Sequence, residues 1–184
     1  IAIRIELIVF INKFIVSSYV NTLCEPKVTM NIFVMRHGQA QNIAASDATR
    51  ALTSNGINEA VKSGQWLLKN YVKLDCIFVS SYFRAQQTAD VIIEQLNSKI
   101  IRKTLSFITP EDSAKEVHDY LDAILSVEKH ESILLVSHMP LVSYLVAELT
   151  YDNTMPLFQT AAIAKIDYDT DKMKGELVTM FSPE

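Results

Sequence analysis

Three short apolar runs, each ending in a cationic or titratable group, constrain this chain more than any other feature. Ile32-Phe33-Val34-Met35 runs straight into Arg36-His37-Gly38. Cys76-Ile77-Phe78-Val79 runs into Ser80-Ser81-Tyr82-Phe83-Arg84, and Ile133-Leu134-Leu135-Val136 into Ser137-His138. Short, uniformly apolar runs read as strands buried on both faces, the condition of a parallel sheet covered by helices. Gly38 is expected where the backbone turns sharply or comes close to a ligand.

The stretches between the runs carry helical spacing. Ile57, Ala60, Val61, Gly64, Leu67, Leu68 and Tyr71 predict a helix over about 54–70, capped by Thr53 or Ser54. A second helix is expected over about 83–97, with Ala85, Ala89, Ile92, Ile93 and Leu96 inward, and Ile100-Ile101 begins a short strand. Thr109-Pro110-Glu111-Asp112 has the form of a helix start, with Thr as cap and Pro at the first position, and that helix buries Val117, Tyr120, Leu121, Ile124 and Leu125. A helix over about 141–149 follows the third run, then two strands near 161–168 and 176–181, joined as a hairpin by the polar segment 169–175. Alternating strands and helices indicate an α/β domain with a mostly parallel sheet.

The chain has 184 residues, enough for one domain with a substantial core. A net charge of −4 with no basic stripe argues against nucleic acid as a partner. Two cysteines, Cys24 and Cys76, make no disulfide framework and fit a reducing, cytoplasmic setting. No Cys, His or carboxylate cluster has zinc-site spacing, so no metal site is expected. Segment 1–29 differs from the rest. It is apolar over 1–20, but Arg4, Glu6, Asn12 and Lys13 interrupt it, so stable membrane insertion is not expected. The folded domain is expected over 30–184, beginning at Met30, with 1–29 outside it; a weak membrane-associating helix in 1–29 is the alternative.

In open α/β sheets, ligands bind beyond the carboxyl ends of the strands. Arg36, His37, Arg84 and His138 therefore converge if the three strands are neighbours. Two guanidinium forks and two imidazoles suit a dianionic tetrahedral group. A neutral imidazole can attack phosphorus and form a covalent intermediate. His118 and His130 show no partner pattern and are expected at the surface.

The arrangement resembles the histidine phosphatase superfamily, which includes phosphoglycerate mutases and acid phosphatases, over essentially all of 30–184. Arg36-His37-Gly38, Arg84 within 80–88 and Ser137-His138 carry the resemblance. Ala44-Ala45-Ser46-Asp47, Leu52-Thr53-Ser54-Asn55-Gly56 and the stretch 137–149 narrow it to the bacterial phosphohistidine phosphatases. The resemblance implies a phosphoglycerate mutase-like three-layer sandwich, with a mostly parallel central sheet between helices. His37 is then the nucleophile, Arg36, Arg84 and His138 hold the phosphoryl oxygens, and no cofactor is needed. It further implies, as partner, a phosphorylated histidine-phosphotransfer domain of a two-component phosphorelay. A monomer is expected. Only one helix, a short strand and a second helix fit between Arg84 and His138, which leaves no room for the helical cap of larger relatives. The site is therefore expected to be open enough for a protein-borne phosphohistidine.

The larger relatives supply a carboxylic acid to protonate the leaving oxygen. Here the candidates are Asp47, also readable as a turn residue or helix cap, and Glu111 or Asp112. Asn42 is a loose counterpart of a family asparagine, and Ala51 replaces a common proline. A phosphohistidine substrate eases the lack of a secure acid, because imidazole, with a pKa of about 6.5, leaves far more readily than an alkoxide. The alternatives are a small-molecule phosphomonoesterase of the same superfamily and a non-catalytic phosphohistidine-binding module.

Overall fold

The computed structural model describes residues 29–70 and 72–183. Its elements are β1 (Thr29–Arg36), a 3-10 turn (Asp47–Thr49), α1 (Ser54–Lys69), β2 (Cys76–Ser80), α2 (Phe83–Leu96), β3 (Ile101–Leu105), α3 (Ala114–Leu125), β4 (Ser132–Ser137), α4 (Leu141–Leu149), β5 (Ile163–Asp169) and β6 (Lys174–Phe181). The expectation for 1–29 falls almost wholly outside the described residues, as do Cys24 and Tyr71; β1 begins at Thr29, the residue before Met30. Among the described residues no helix is long and apolar enough to cross a membrane.

The six strands form one sheet in the order β3-β2-β4-β1-β5-β6. β3, β2, β4 and β1 are mutually parallel, and β5 and β6 add an antiparallel hairpin at one edge. The three apolar runs thus lie side by side, with β4 in the middle. Side chains of a strand alternate between faces, and both faces of these strands are apolar. Ile32 and Val34 of β1 join Phe78, Ile133 and Leu135 in a core under α3 and α4. Phe33 and Met35 join Ile77, Val79, Leu134 and Val136 in a second core under α1 and α2. The result is a three-layer sandwich. Cys76 is a free, fully buried thiol in the first core, as its place in an apolar run suggests.

Several local expectations change. Thr53 caps α1 by accepting the Gly56 N–H, but Ile57 and Leu68 are exposed; the buried face is carried by Gly56, Ala60, Ser63, Gly64 and Leu67. Ser63 is tolerated inside because its hydroxyl donates to the Ala161 carbonyl at 2.7 Å. Residues 109–112 do not start a helix. Asp112 turns its carboxylate back to accept the Thr109 N–H at 2.6 Å, closing a turn. The cap falls to Ser113, whose hydroxyl accepts the Glu116 N–H. His118 is not at the surface: it is 6% exposed, on the buried side of α3 against Tyr168 of β5. The His130 side chain is not at the surface either: it is 6% exposed and paired with Glu128 at 3.1 Å.

Candidate active site

β1 and β4 run in register, Arg36 opposite Ser137, and their pairing continues one step further through a His37 N–H to Ser137 carbonyl bond of 2.9 Å. This carries His37 and His138 past the sheet edge together, with ring centroids 4.9 Å apart. β2, on the other side of β4, delivers the loop 81–82 and the first turn of α2, where Arg84 sits. All four residues singled out from the sequence meet at this point.

Gly38 does not have positive φ; its backbone passes close to that of Gly56. A Cβ at Gly38 would collide with the Gly56 carbonyl, so the absent side chain lets the N-terminal turn of α1 dock on the loop after His37. Thr88, one turn along α2 from Arg84, accepts the Gly38 N–H at 3.1 Å and donates to the Arg84 carbonyl at 2.7 Å. This ties the arginine-bearing helix to the loop after His37.

The tautomer of His37 follows from its contacts. A carbonyl only accepts, so the 2.7 Å contact between His37 Nδ1 and the Gly38 oxygen places the proton on Nδ1. Nε2 keeps its lone pair and accepts from Arg84 Nε at 3.1 Å. Burial pushes the His37 pKa down to about 4, reinforced by Arg84, Arg36 and Arg50 and opposed by the Gly38 carbonyl. The ring is therefore neutral at pH 7, with Nε2 available to attack.

Arg84, 3% exposed, is the most constrained cation of the site. Besides His37 it binds the Asp47 carbonyl at 2.6 Å and the Asp47 carboxylate at 2.9 Å, and its guanidinium lies 4.9 Å over the Tyr82 ring. Arg36 donates through Nη1 to the Phe158 carbonyl at 2.8 Å. His138 contacts Ser80 Oγ through Nε2 at 2.8 Å, and Tyr82 packs at 5.0 Å from its ring. Burial lowers the His138 pKa to about 2, with His37 and the two arginines adding to the effect and Asp47 opposing it. Among the described residues, the buried side-chain atoms without a hydrogen-bond partner are Arg36 Nε and His138 Nδ1. Both belong to this site. Native interiors pair nearly all buried polar atoms, so two such nitrogens at one place call for a shared partner from outside the chain.

Asp47 sits at the rim, in the 3-10 turn, half its side chain exposed. Its carboxylate is held by Arg50 and Arg84, each at 2.9 Å, and the Arg50 bond foremost keeps its pKa below the usual carboxylate range against the opposing effect of desolvation. That environment makes it an anchor for two arginines and a poor proton donor. Asp112 is engaged with Thr109 in its turn, and Glu111 is exposed. Neither makes a bond to the four residues of the site. Glu59 lies close enough to Arg36 to support its charge but is bonded to the Gln39 N–H and to Asn55. The Phe158 carbonyl, Thr88 and Ser80 are parts that the sequence reading gave no role. The first is a backbone atom and leaves no sequence signal; Ser80 and Thr88 stand within the motif around Arg84, and their polarity in an otherwise buried setting is the signal.

The profile of the Histidine phosphatase superfamily (branch 1) matches residues 32–105. Phosphohistidine phosphatase SixA of Escherichia coli (strain K12) is 41% identical over 140 residues, an alignment covering 76% of this chain and 86% of that protein. The phosphohistidine phosphatase SixA homolog of Haemophilus influenzae is 41% identical over 151 residues, covering 78% of this chain and 91% of that one. The solved structure of the protein histidine phosphatase SixA complexed with tungstate matches with a TM-score of 0.80 at 39% identity, over 84% of this chain and 97% of its own. The fold is phosphoglycerate mutase-like, and no inserted helical cap is present among the described residues.

Proposed function

This chain belongs to the histidine phosphatase superfamily, and from that premise we propose that it is a phosphohistidine phosphatase acting on the histidine-phosphotransfer domain of a two-component phosphorelay. His37 Nε2 attacks phosphorus; the bond from phosphorus to the substrate ring, which carries a proton on its other nitrogen, breaks and its electron pair returns to that ring, which leaves as neutral imidazole. Water then attacks phospho-His37, releasing inorganic phosphate and restoring the neutral imidazole. Arg84 Nε–H, which faces the Nε2 lone pair in the resting site, transfers its bond to a phosphoryl oxygen as the P–N bond forms. Arg36 Nε and His138 Nδ1 meet the remaining oxygens. Such fixed donors around the transferring group are the main demand of phosphoryl transfer.

One observation supports this function above the others: a neutral, correctly tautomerised His37 Nε2 shares a buried site with two nitrogens, Arg36 Nε and His138 Nδ1, that have no partner among the described residues. The choice of phosphohistidine over an alkyl ester rests on Asp47, whose carboxylate is committed to Arg50 and Arg84. Without a ready acid, the better leaving group reacts. The reactive ring is recessed, His37 being 8% exposed, yet without an inserted cap a phosphorylated side chain on a protein surface has a way in.

The test follows loss of label from a phosphohistidine-bearing phosphotransfer domain beside hydrolysis of a simple alkyl phosphomonoester, both with EDTA. Fast, EDTA-insensitive loss from phosphohistidine and a sluggish ester reaction are expected, because Arg36 and Arg84 supply the charge. Comparable or faster ester hydrolysis overturns the substrate in favour of a small-molecule phosphatase. Binding of the phosphorylated domain without turnover leaves only a recognition module.

A further inference from the structure

We propose that Ser80 is a positioning residue that sets the tautomer of His138, so that the Nδ1–H of that ring is turned to the phosphoryl oxygens. The inference rests on the reading above that His138 contacts the transferred group; it adds which residue prepares His138 for that contact.

Ser80 ends β2 and is fully buried. Val79 pairs with Val136, so the two strands bring Ser80 level with the end of β4 and His138 just beyond it. The Ser80 hydroxyl lies 2.8 Å from His138 Nε2. Its second polar neighbour is the Tyr82 backbone N–H at 3.3 Å, which can only donate. A hydroxyl carries one hydrogen and two acceptor lone pairs. With Tyr82 occupying an acceptor position, the hydroxyl hydrogen has one acceptor within reach among the described residues, His138 Nε2. Were Nε2 protonated instead, the hydroxyl hydrogen would be buried without an acceptor, which costs about 1–3 kcal/mol. Ser80 therefore donates and Nε2 accepts. The ring is held neutral by its surroundings, so its single proton sits on Nδ1, the buried nitrogen with no protein partner. Tyr82, packed against the ring and under the Arg84 guanidinium, limits rotation that would exchange the two nitrogens.

The two histidines thus use opposite devices to opposite ends. On His37 a backbone carbonyl takes the Nδ1 proton and leaves Nε2 as nucleophile. On His138 a hydroxyl donates to Nε2 and leaves Nδ1 as donor.

Long-range 1H–15N spectra of 15N-histidine-labelled protein at pH 7.5, with His138 assigned from a His138→Gln difference, read the tautomer directly. The wild type is expected to show Nδ1–H for His138; Nε2–H overturns the proposal whether or not any variant folds. In Ser80→Ala the His138 signal is expected to shift toward Nε2–H, with affinity for sulfate falling about five- to tenfold, the loss of roughly one hydrogen bond. A weak-donor replacement, Ser80→Cys, recovers part of both. An unchanged tautomer, or unchanged sulfate affinity, in Ser80→Ala overturns the role given to Ser80. Neither readout depends on which phosphorylated substrate is used. If phosphohistidine proves the wrong substrate, these results still stand or fall by themselves.

Discussion

Two buried histidine sites in this molecule are built in opposite ways. Around His118, both ring nitrogens have oxygen partners: Nε2 lies 2.8 Å from the Tyr168 hydroxyl and Nδ1 lies 3.3 Å from the Glu148 carboxylate. Tyr168 in turn donates to Asp122 at 2.5 Å, and burial together with that bond pushes the tyrosine pKa up. Every polar atom of that cluster is occupied and carboxylates surround the imidazole. Around His37 and His138 the nearby charges are guanidinium groups, the nearest carboxylate is bound by Arg50 and Arg84, and His138 Nδ1 has no protein acceptor. Burial alone does not distinguish a catalytic histidine from a structural one. The sign of the surrounding charge and the presence of an unmatched donor do. The first cluster joins α3, α4 and β5; the second holds the proposed nucleophile in its neutral form.

The largest effect expected from this contrast is on turnover. His37→Ala removes the attacking nitrogen and is expected to lower phosphohistidine hydrolysis by at least about 10³-fold, while sulfate still binds through Arg36 and His138. Turnover within tenfold of wild type would place the nucleophile elsewhere. The same variant tests the electrostatics. The unfolded His37 titrates near 6.5, whereas the folded one titrates at about 4. Above about pH 6.5 neither state is protonated and stability is unaffected. As pH falls from there toward 4, the unfolded chain takes up a proton that the folded site resists, so stability is lost. Urea unfolding at pH 7 and pH 5 is therefore expected to show a smaller acid-side loss in His37→Ala, by on the order of 1–2 kcal/mol.

The His118 cluster should show the converse: stability moves and chemistry does not. His118→Phe keeps the ring volume and removes both polar contacts. Tyr168 retains Asp122, and Glu148, partly exposed, returns to water. A loss of about 1–2 kcal/mol in unfolding free energy is expected, with kcat/KM within twofold of wild type. A change in kcat/KM larger than tenfold in a folded His118→Phe protein would remove the distinction between the two sites.

How much of this was legible in the sequence depended on whether a feature was local. The buried strands were readable because Ile32, Phe33, Val34 and Met35 are apolar on both alternating faces, which only a covered sheet accommodates. Arg36, His37, Arg84 and His138 were readable because each follows such a run. That the three strands are neighbours was an assumption, and their order, with β4 between β1 and β2, left no signal, since strand order is decided by long-range packing rather than by any one segment. His118 was misplaced because its partners Tyr168 and Glu148 lie 50 and 30 positions away. The start of α3 was misplaced because Pro110 and Asp112 satisfy the same local pattern as a helix cap, while Asp112 spends its carboxylate on the Thr109 N–H. Ser80 was quoted within a motif, but its role needs the fold that brings it against His138.

The smallest effect expected is at Asp47, and it decides whether the two kinds of site are fully separate. Among the described residues, Asp47 is the carboxylate bonded directly to an arginine of the proposed phosphate site, so it could blur the contrast with His118. Its firmest contact is its backbone carbonyl, which receives Arg84 Nη1 at 2.6 Å and survives any side-chain change. The carboxylate is half-exposed, where water screens its attraction to Arg84 and Arg50. Asp47→Asn keeps one acceptor oxygen and loses only the charge. Phosphohistidine hydrolysis is therefore expected to fall less than about tenfold, in keeping with a screened ion pair. If Asp47 served as the proton donor, the loss would be far greater for an alkyl phosphomonoester than for phosphohistidine, because the alkoxide needs the proton whereas a phosphohistidine ring protonated on its other nitrogen leaves as neutral imidazole. Measuring both substrates on the one variant separates the roles. Equal, small losses leave Asp47 as a brace for Arg84, whereas a loss confined to the ester makes it an acid that this site releases from its arginines during the reaction.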